Sequence, residues 1–225
     1  MMRTTEGDLF SEVRTHLLLD TEATQSEIQR EMDDFISQAS ADDVILIFLS
    51  GHGMQEVDNS LYFVPHDAET DRTYTLVDLK LVRQQLMKRP ASQKALLWLD
   101  LCNAGAFGQE GRSKSLQRLV VTVDDAVKLV SEGSGVSVLA SSAGRQESYE
   151  GAEYGGGHGA FTAALIEGLN GRSDREAGNS DGLVFVQELQ TFVMRRVPQM
   201  TKGKQHPTVP LVSNLRDFPI SVATP

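Results

Sequence analysis

Three short apolar runs punctuate the chain, Val44-Ile-Leu-Ile-Phe-Leu49, Ala95-Leu-Leu-Trp-Leu99 and Val136-Ser-Val-Leu-Ala140. Each is too short for most helices and lacks polar alternation, the pattern of a parallel strand buried on both faces. Between them the period becomes helical. Thr24-Gln-Ser-Glu27 is a capping-box signature ahead of a stripe formed by Ile28, Met32, Phe35, Ile36 and Ala39, which a sheet should cover. Leu76, Leu79, Val82 and Leu86 predict a second helix that stops before Pro90, and Phe185, Leu189, Phe192, Val193 and Val197 one that stops at Pro198. A shorter helix is expected from Ala160 to Leu169, with Gly171 as its stop signal. His16 to Leu19 reads as a further strand, and Thr208 to Ser213 as an edge strand, because Pro210 has no N–H to give a ladder. Alternating strands and helices predict an α/β fold, a three-layer sandwich around a mostly parallel sheet.

Composition and charge narrow the function classes. The 225 residues, 40% hydrophobic and 23% charged, suit one soluble domain spanning 1–225. Twenty-one Lys and Arg against 31 Asp and Glu leave a net charge of -10 with no basic stretch, which argues against nucleic acid and anionic membranes as partners. The longest apolar run, Val44 to Leu49, is far short of the roughly 20 residues a membrane span needs. The start, MMRTTEGDLF, lacks the basic-then-apolar layout of a secretory signal, and a single cysteine makes no intrachain disulfide. A reducing cytoplasm is the expected compartment. Gly, Ser and charged residues cluster at 103–118 and 170–182, which predicts loops.

In open α/β sheets, catalytic groups collect beyond the carboxyl ends of the parallel strands. After Leu49 comes Ser50-Gly51-His52-Gly53; after Leu99 comes Asp100-Leu101-Cys102-Asn103-Ala104-Gly105; after Ala140 comes Ser141-Ser142-Ala143-Gly144-Arg145-Gln146-Glu147-Ser148-Tyr149-Glu150. A histidine between two glycines at a strand end should lie exposed on a tight turn. The only cysteine lies past the next strand, where a neighbouring imidazole could deprotonate and orient it. A lone cysteine is more often a small buried hydrophobe, and a loop histidine often bonds only a backbone carbonyl. Their arrival at equivalent strand ends, 50 positions apart, favours a nucleophile and its acid/base partner. A zinc site from His52, His66 and Cys102 lacks any close ligand pair, with His158 no better placed, so no metal site is expected. A serine nucleophile at Ser141 or Ser142 lacks the G-x-S-x-G elbow.

LIFLSGHG followed by LLWLDLCNAG resembles the caspase/metacaspase superfamily of cysteine peptidases, in particular its bacterial caspase-like (orthocaspase) branch. Gly135-Val-Ser-Val-Leu-Ala-Ser-Ser142, Gly159-Ala-Phe-Thr-Ala-Ala-Leu165, Asp181-Gly182 and Gln205-His-Pro207 are similar to that family's later segments, so the likeness runs from about Phe10 to Ile220. It implies a large-subunit-like part over about 1–105, a linker region over 106–134 and a small-subunit-like part over 135–225. It implies that Cys102 attacks the scissile carbonyl to form a thioester while His52 serves the leaving amine and then water, with the N–H groups of Gly53 and Cys102 holding the oxyanion. Asp100 and Glu150 match the acidic pocket of members that cut after Arg or Lys, with Glu147 as a competitor for Glu150. Two carboxylates favour a basic P1 side chain and repel an acidic one. The substrates implied are therefore proteins or peptides with basic P1 residues, and Arg112, Lys114 and Arg118 become candidate self-cleavage sites. Calcium activates some members; Asp124-Asp125 or Asp67-Ala-Glu69 would serve here, though neither shows a recognisable calcium-loop pattern. No other cofactor is implied.

Relatives of this kind begin with a buried strand and a Gly/Asn-rich loop, and no such strand precedes Phe10. The absent strand would lie beside the strand carrying His52. The expectation is a trimmed N-terminus or a partner segment or chain completing the sheet, with His16 to Leu19 taking over as the other route. The competing functional class is a catalytically silent caspase-fold scaffold or regulatory subunit.

Overall fold

The run that starts at Val44 forms a strand, β1 (Ile45–Gln55), and the next two runs form β4 (Ala95–Asn103) and β5 (Ser137–Ala140). They are the parallel side of a mixed five-stranded sheet ordered β3-β2-β1-β4-β5, completed by β2 (Leu61–Val64) and β3 (Val77–Asp78) through antiparallel pairs. The computed structural model describes residues 6–55, 60–69, 72–89, 94–103, 136–142, 148–154, 159–209 and 217–224. Beyond the sheet, β6 (Leu183–Phe185) and β7 (Pro219–Val222) form a two-stranded antiparallel ribbon.

Alternation along the strands sends odd and even positions to opposite layers. On one face Ile45, Leu97, Leu99 and Val138 meet α1 (Gln25–Asp34) and α2 (Leu79–Met87) through Ile28, Met32, Leu79, Val82 and Leu86. On the other, Leu96, Trp98 and Leu139 meet α3 (Ala160–Glu167) and α5 (Val186–Met200), with the short α4 (Ser173–Ala177) between those two helices in sequence. These are the three layers of the expected sandwich. The Thr24 side chain accepts from Glu27 N and starts α1 as the capping signature predicts. No helix among the described residues is long and apolar enough to cross a membrane.

Several elements differ from the pattern-based expectation. β1 and β4 run past their apolar stretches, through Gln55 and Asn103, because ladder hydrogen bonds need backbone groups rather than apolar side chains. His16 to Leu19 is not a strand: Leu18 packs on the core, whereas Leu17 is 68% and Leu19 55% exposed. His16 instead meets Glu31 of α1 at 2.6 Å, beside the Phe35 ring. Pro198 does not end its helix. It stands in the last turn, where its missing N–H frees only the carbonyl of Met194 on an exposed flank, and Thr201 closes the helix onto the Val197 carbonyl. Gly171, by contrast, acts as the expected stop: at φ 96 and ψ 0 it leaves the helical region and kinks the chain between α3 and α4. Of the expected edge strand, Thr208 makes a single bridge to Ala140, and 210–213 lie outside the described residues.

The sheet also has an open side. β1 pairs with β4 along Ile45–Gly53, but with β2 only at His52–Gln55. Among the described residues, Ile45–Gly51 therefore has no second sheet neighbour.

Candidate active site

The parallel register of β1 and β4 sets the site. Ser50 stands opposite Asp100, His52 opposite Cys102 and Gly53 opposite Asn103. Neighbouring strands lie about 4.8 Å apart, so the backbones of residues 52 and 102 are next to one another at the carboxyl ends of both strands, and the two positions share a sheet face. His52 is exposed, but it lies within β1 rather than on the separate tight turn expected, because the strand continues into its antiparallel pair with β2, where His52 opposes Val64. Gly51 makes that continuation feasible: at φ +151 an added Cβ would come 3.2 Å from the Phe63 ring. Gly53 is buried, with Leu101 beneath it at 3.3 Å from where its Cβ would be. Of Cys102, only the backbone is described.

Asp100 precedes Cys102 by one strand repeat, about 6.6 Å deeper into the sheet on the same face. Asp100 is only 6% exposed. The Thr162 hydroxyl of α3 donates to Oδ2 at 2.6 Å, and the hydroxyls of Ser141 and Ser148, themselves 2.8 Å apart, lie close enough to stabilise the ionised carboxylate. Burial pushes the Asp100 carboxyl above its ordinary range; the hydroxyls pull it down, and the Glu150 carboxylate pushes it up again. Among the described residues, the charge that raises this buried acid is a second acid.

Glu150 is exposed and bridges to Gly159, the residue that opens α3. A Cβ added at Gly159 would stand 3.1 Å from Asp100 Oδ2 and 3.8 Å from Glu150 Cγ. Glycine lets the backbone at 159 pack this closely against Asp100 and Glu150. Gln205 fixes the rim from behind: wholly buried, it donates from Nε2 to the Ser141 carbonyl at 2.8 Å and accepts from Tyr149 N–H at 2.9 Å.

Among the sequence-derived candidates, the structure groups His52 with Cys102, and Asp100 with Glu150. Ser141 is a hydroxyl partner of Asp100, and Ser142 is buried. Asp67 caps α1 by accepting from Gln25 N–H at 2.8 Å, and Glu69 pairs with Arg72 at 2.7 Å. Arg112, Lys114, Arg118, Asp124, Asp125, Glu147 and His158 lie outside the described residues. Sequence reasoning missed Thr162, Ser148, Gly159 and Gln205 as contributors. One signal was available for Thr162, the only polar residue of Ala160-Phe-Thr-Ala-Ala-Leu165.

No curated protein gives a significant sequence match. The family model described as the caspase domain matches residues 7–219, almost the full length, with the His52 and Cys102 strands inside it. The chain belongs to the caspase domain family, a family of cysteine-type peptidases.

Proposed function

We propose that this protein is a cysteine endopeptidase that hydrolyses peptide bonds after arginine or lysine. The observation that carries the specificity is the position of Asp100: buried, on the face of the His52/Cys102 pair, one strand repeat below it, and accompanied by Glu150. A long cationic side chain spans such a distance and brings the charge that the two acids lack. An acidic P1 side chain meets repulsion.

In this reading the Cys102 thiolate attacks the scissile carbonyl carbon, and the oxyanion is held by the N–H groups of Gly53 and Cys102. The C–N bond breaks as protonated His52 gives its proton to the leaving amine, leaving a thioester. Neutral His52 then takes a proton from water, the hydroxide adds to the thioester carbon, and the thiolate departs as the free acid forms. Self-cleavage at Arg112, Lys114 or Arg118 belongs to the same proposal, since each offers a basic P1 residue. Fluorogenic peptides ending in Arg, Lys or Asp test the activity; thiol-dependent turnover of the first two but not the third supports it.

A second reading, a silent binding module, draws on the open side of β1 at Ile45–Gly51, where Phe48 is 42% exposed. An apolar strand with an unpaired edge invites a further strand, supplied by a partner segment or chain. The His52/Cys102 register speaks for the catalytic reading. A folded protein without thiol-dependent turnover on all three peptides would favour the second.

A further inference from the structure

The first turn of α3 is apolar except at one position: Ala160, Phe161, Ala163 and Ala164 are all buried in the core, and Thr162 alone carries a hydroxyl. A helical threonine usually returns its hydroxyl to a carbonyl of the preceding turn. Thr162 instead reaches a carboxylate 62 positions earlier in the chain, donating to Asp100 Oδ2 at 2.6 Å. Gly159, one turn earlier, lets the backbone approach that same oxygen closely, since a Cβ there would stand 3.1 Å from it. One turn of helix thus both clamps the carboxylate and packs close beside it.

We infer that Thr162 is a positioning residue of the P1 pocket, which fixes the plane of the Asp100 carboxylate so that it receives a guanidinium in the correct orientation. The inference rests on the basic-P1 reading above and adds a preference within it. A guanidinium is a planar fork whose paired hydrogen bonds need a carboxylate at a set angle; an ammonium is a compact charge that tolerates rotation. Freeing the carboxylate therefore penalises arginine more than lysine. A residue that merely supported the fold would affect both alike.

Thr162→Val keeps the shape and removes the hydroxyl, and Thr162→Ser keeps the hydroxyl. The experiment measures kcat and KM on matched Arg and Lys peptides for wild type and both variants, together with Tm and the carbon-13 carboxyl titration of Asp100. In Thr162→Val, kcat/KM for Arg should fall about tenfold, the worth of one hydrogen bond to a charged group, mainly through KM. The loss for Lys should stay below about threefold, and Thr162→Ser should restore Arg cleavage. The Asp100 midpoint should move up in Thr162→Val, because the ionised form loses a donor. Equal losses on Arg and Lys, or a folded Thr162→Ser without recovery, overturn the inference. Wild type that cuts after neither residue overturns the basic-P1 reading and the Arg preference with it, and an unmoved Asp100 midpoint in Thr162→Val separately overturns the clamp.

Discussion

His52 and Cys102 stand opposite one another in the parallel register of β1 and β4. Fifty residues separate them in sequence, yet the ladder fixes their backbones side by side, and a shift of one residue would send one of them to the other face. Nine aligned positions, Ile45↔Ala95 through Gly53↔Asn103, hold that register. Cys102→Ala should therefore abolish turnover with little change in Tm. His52→Ala should retain the thiol and lose about 10²- to 10⁴-fold in kcat, the range for a positioned acid/base group. Active-site titration with an alkylating peptide, run beside the kinetics, separates the two.

Asp100 carries a cost in stability that its proposed role explains. Its carboxyl is pushed up by burial and by Glu150, so its contribution to stability is fully present below the unfolded carboxyl value of about 3.9 and is lost as pH rises through the folded value. At neutral pH the ionised form is disfavoured in the folded chain. Asp100→Asn, which keeps an oxygen for Thr162, should raise Tm at pH 7 by roughly 2–4 °C per kcal/mol relieved. The gain should shrink as pH falls towards 4. The same variant should lose at least about thirtyfold in kcat/KM on Arg and Lys peptides. Paired Tm scans at several pH values check the first part, and a variant less stable than wild type at pH 7 would contradict it.

Gly159→Ala tests the site by crowding the Asp100 carboxylate. The backbone at 159, φ -70 and ψ 151, suits alanine, so the fold should survive. The new methyl would stand 3.1 Å from Asp100 Oδ2 and 3.8 Å from Glu150 Cγ. The carboxylate must give way by a few tenths of an ångström, so KM for Arg and Lys peptides should rise, with only a small fall in Tm. Steady-state kinetics with a parallel melt measure the two effects.

Gly51 ties stability to the site. Alanine there meets both a disfavoured φ of +151 and the Phe63 ring at 3.2 Å, which should cost about 1–3 kcal/mol. Because His52 follows directly, kcat should also fall. Urea unfolding midpoints measure the first effect and initial rates the second.

The strand centres were legible because Val44–Leu49 and Ala95–Leu99 are apolar on both parities. Their ends were not, since Ser50–Gln55 and Asp100–Asn103 pair through backbone groups that leave no side-chain period. That is why His52 read as a turn residue. His16 to Leu19 misled for the opposite reason: three leucines imitate a strand, although only Leu18 meets the core. Asp100 and Glu150 became candidates through family likeness. The hydroxyls of Thr162, Ser141 and Ser148 that surround Asp100 come from distant segments, and single hydroxyls carry no periodic signature.

The most direct test of the central claim is a P1 profile: cleavage of a peptide library varied at that one position, by wild type and by Cys102→Ala. Turnover should be confined to Arg and Lys and absent from the variant. Turnover that persists without the thiol, or a preference for aspartate over both basic residues, would contradict it.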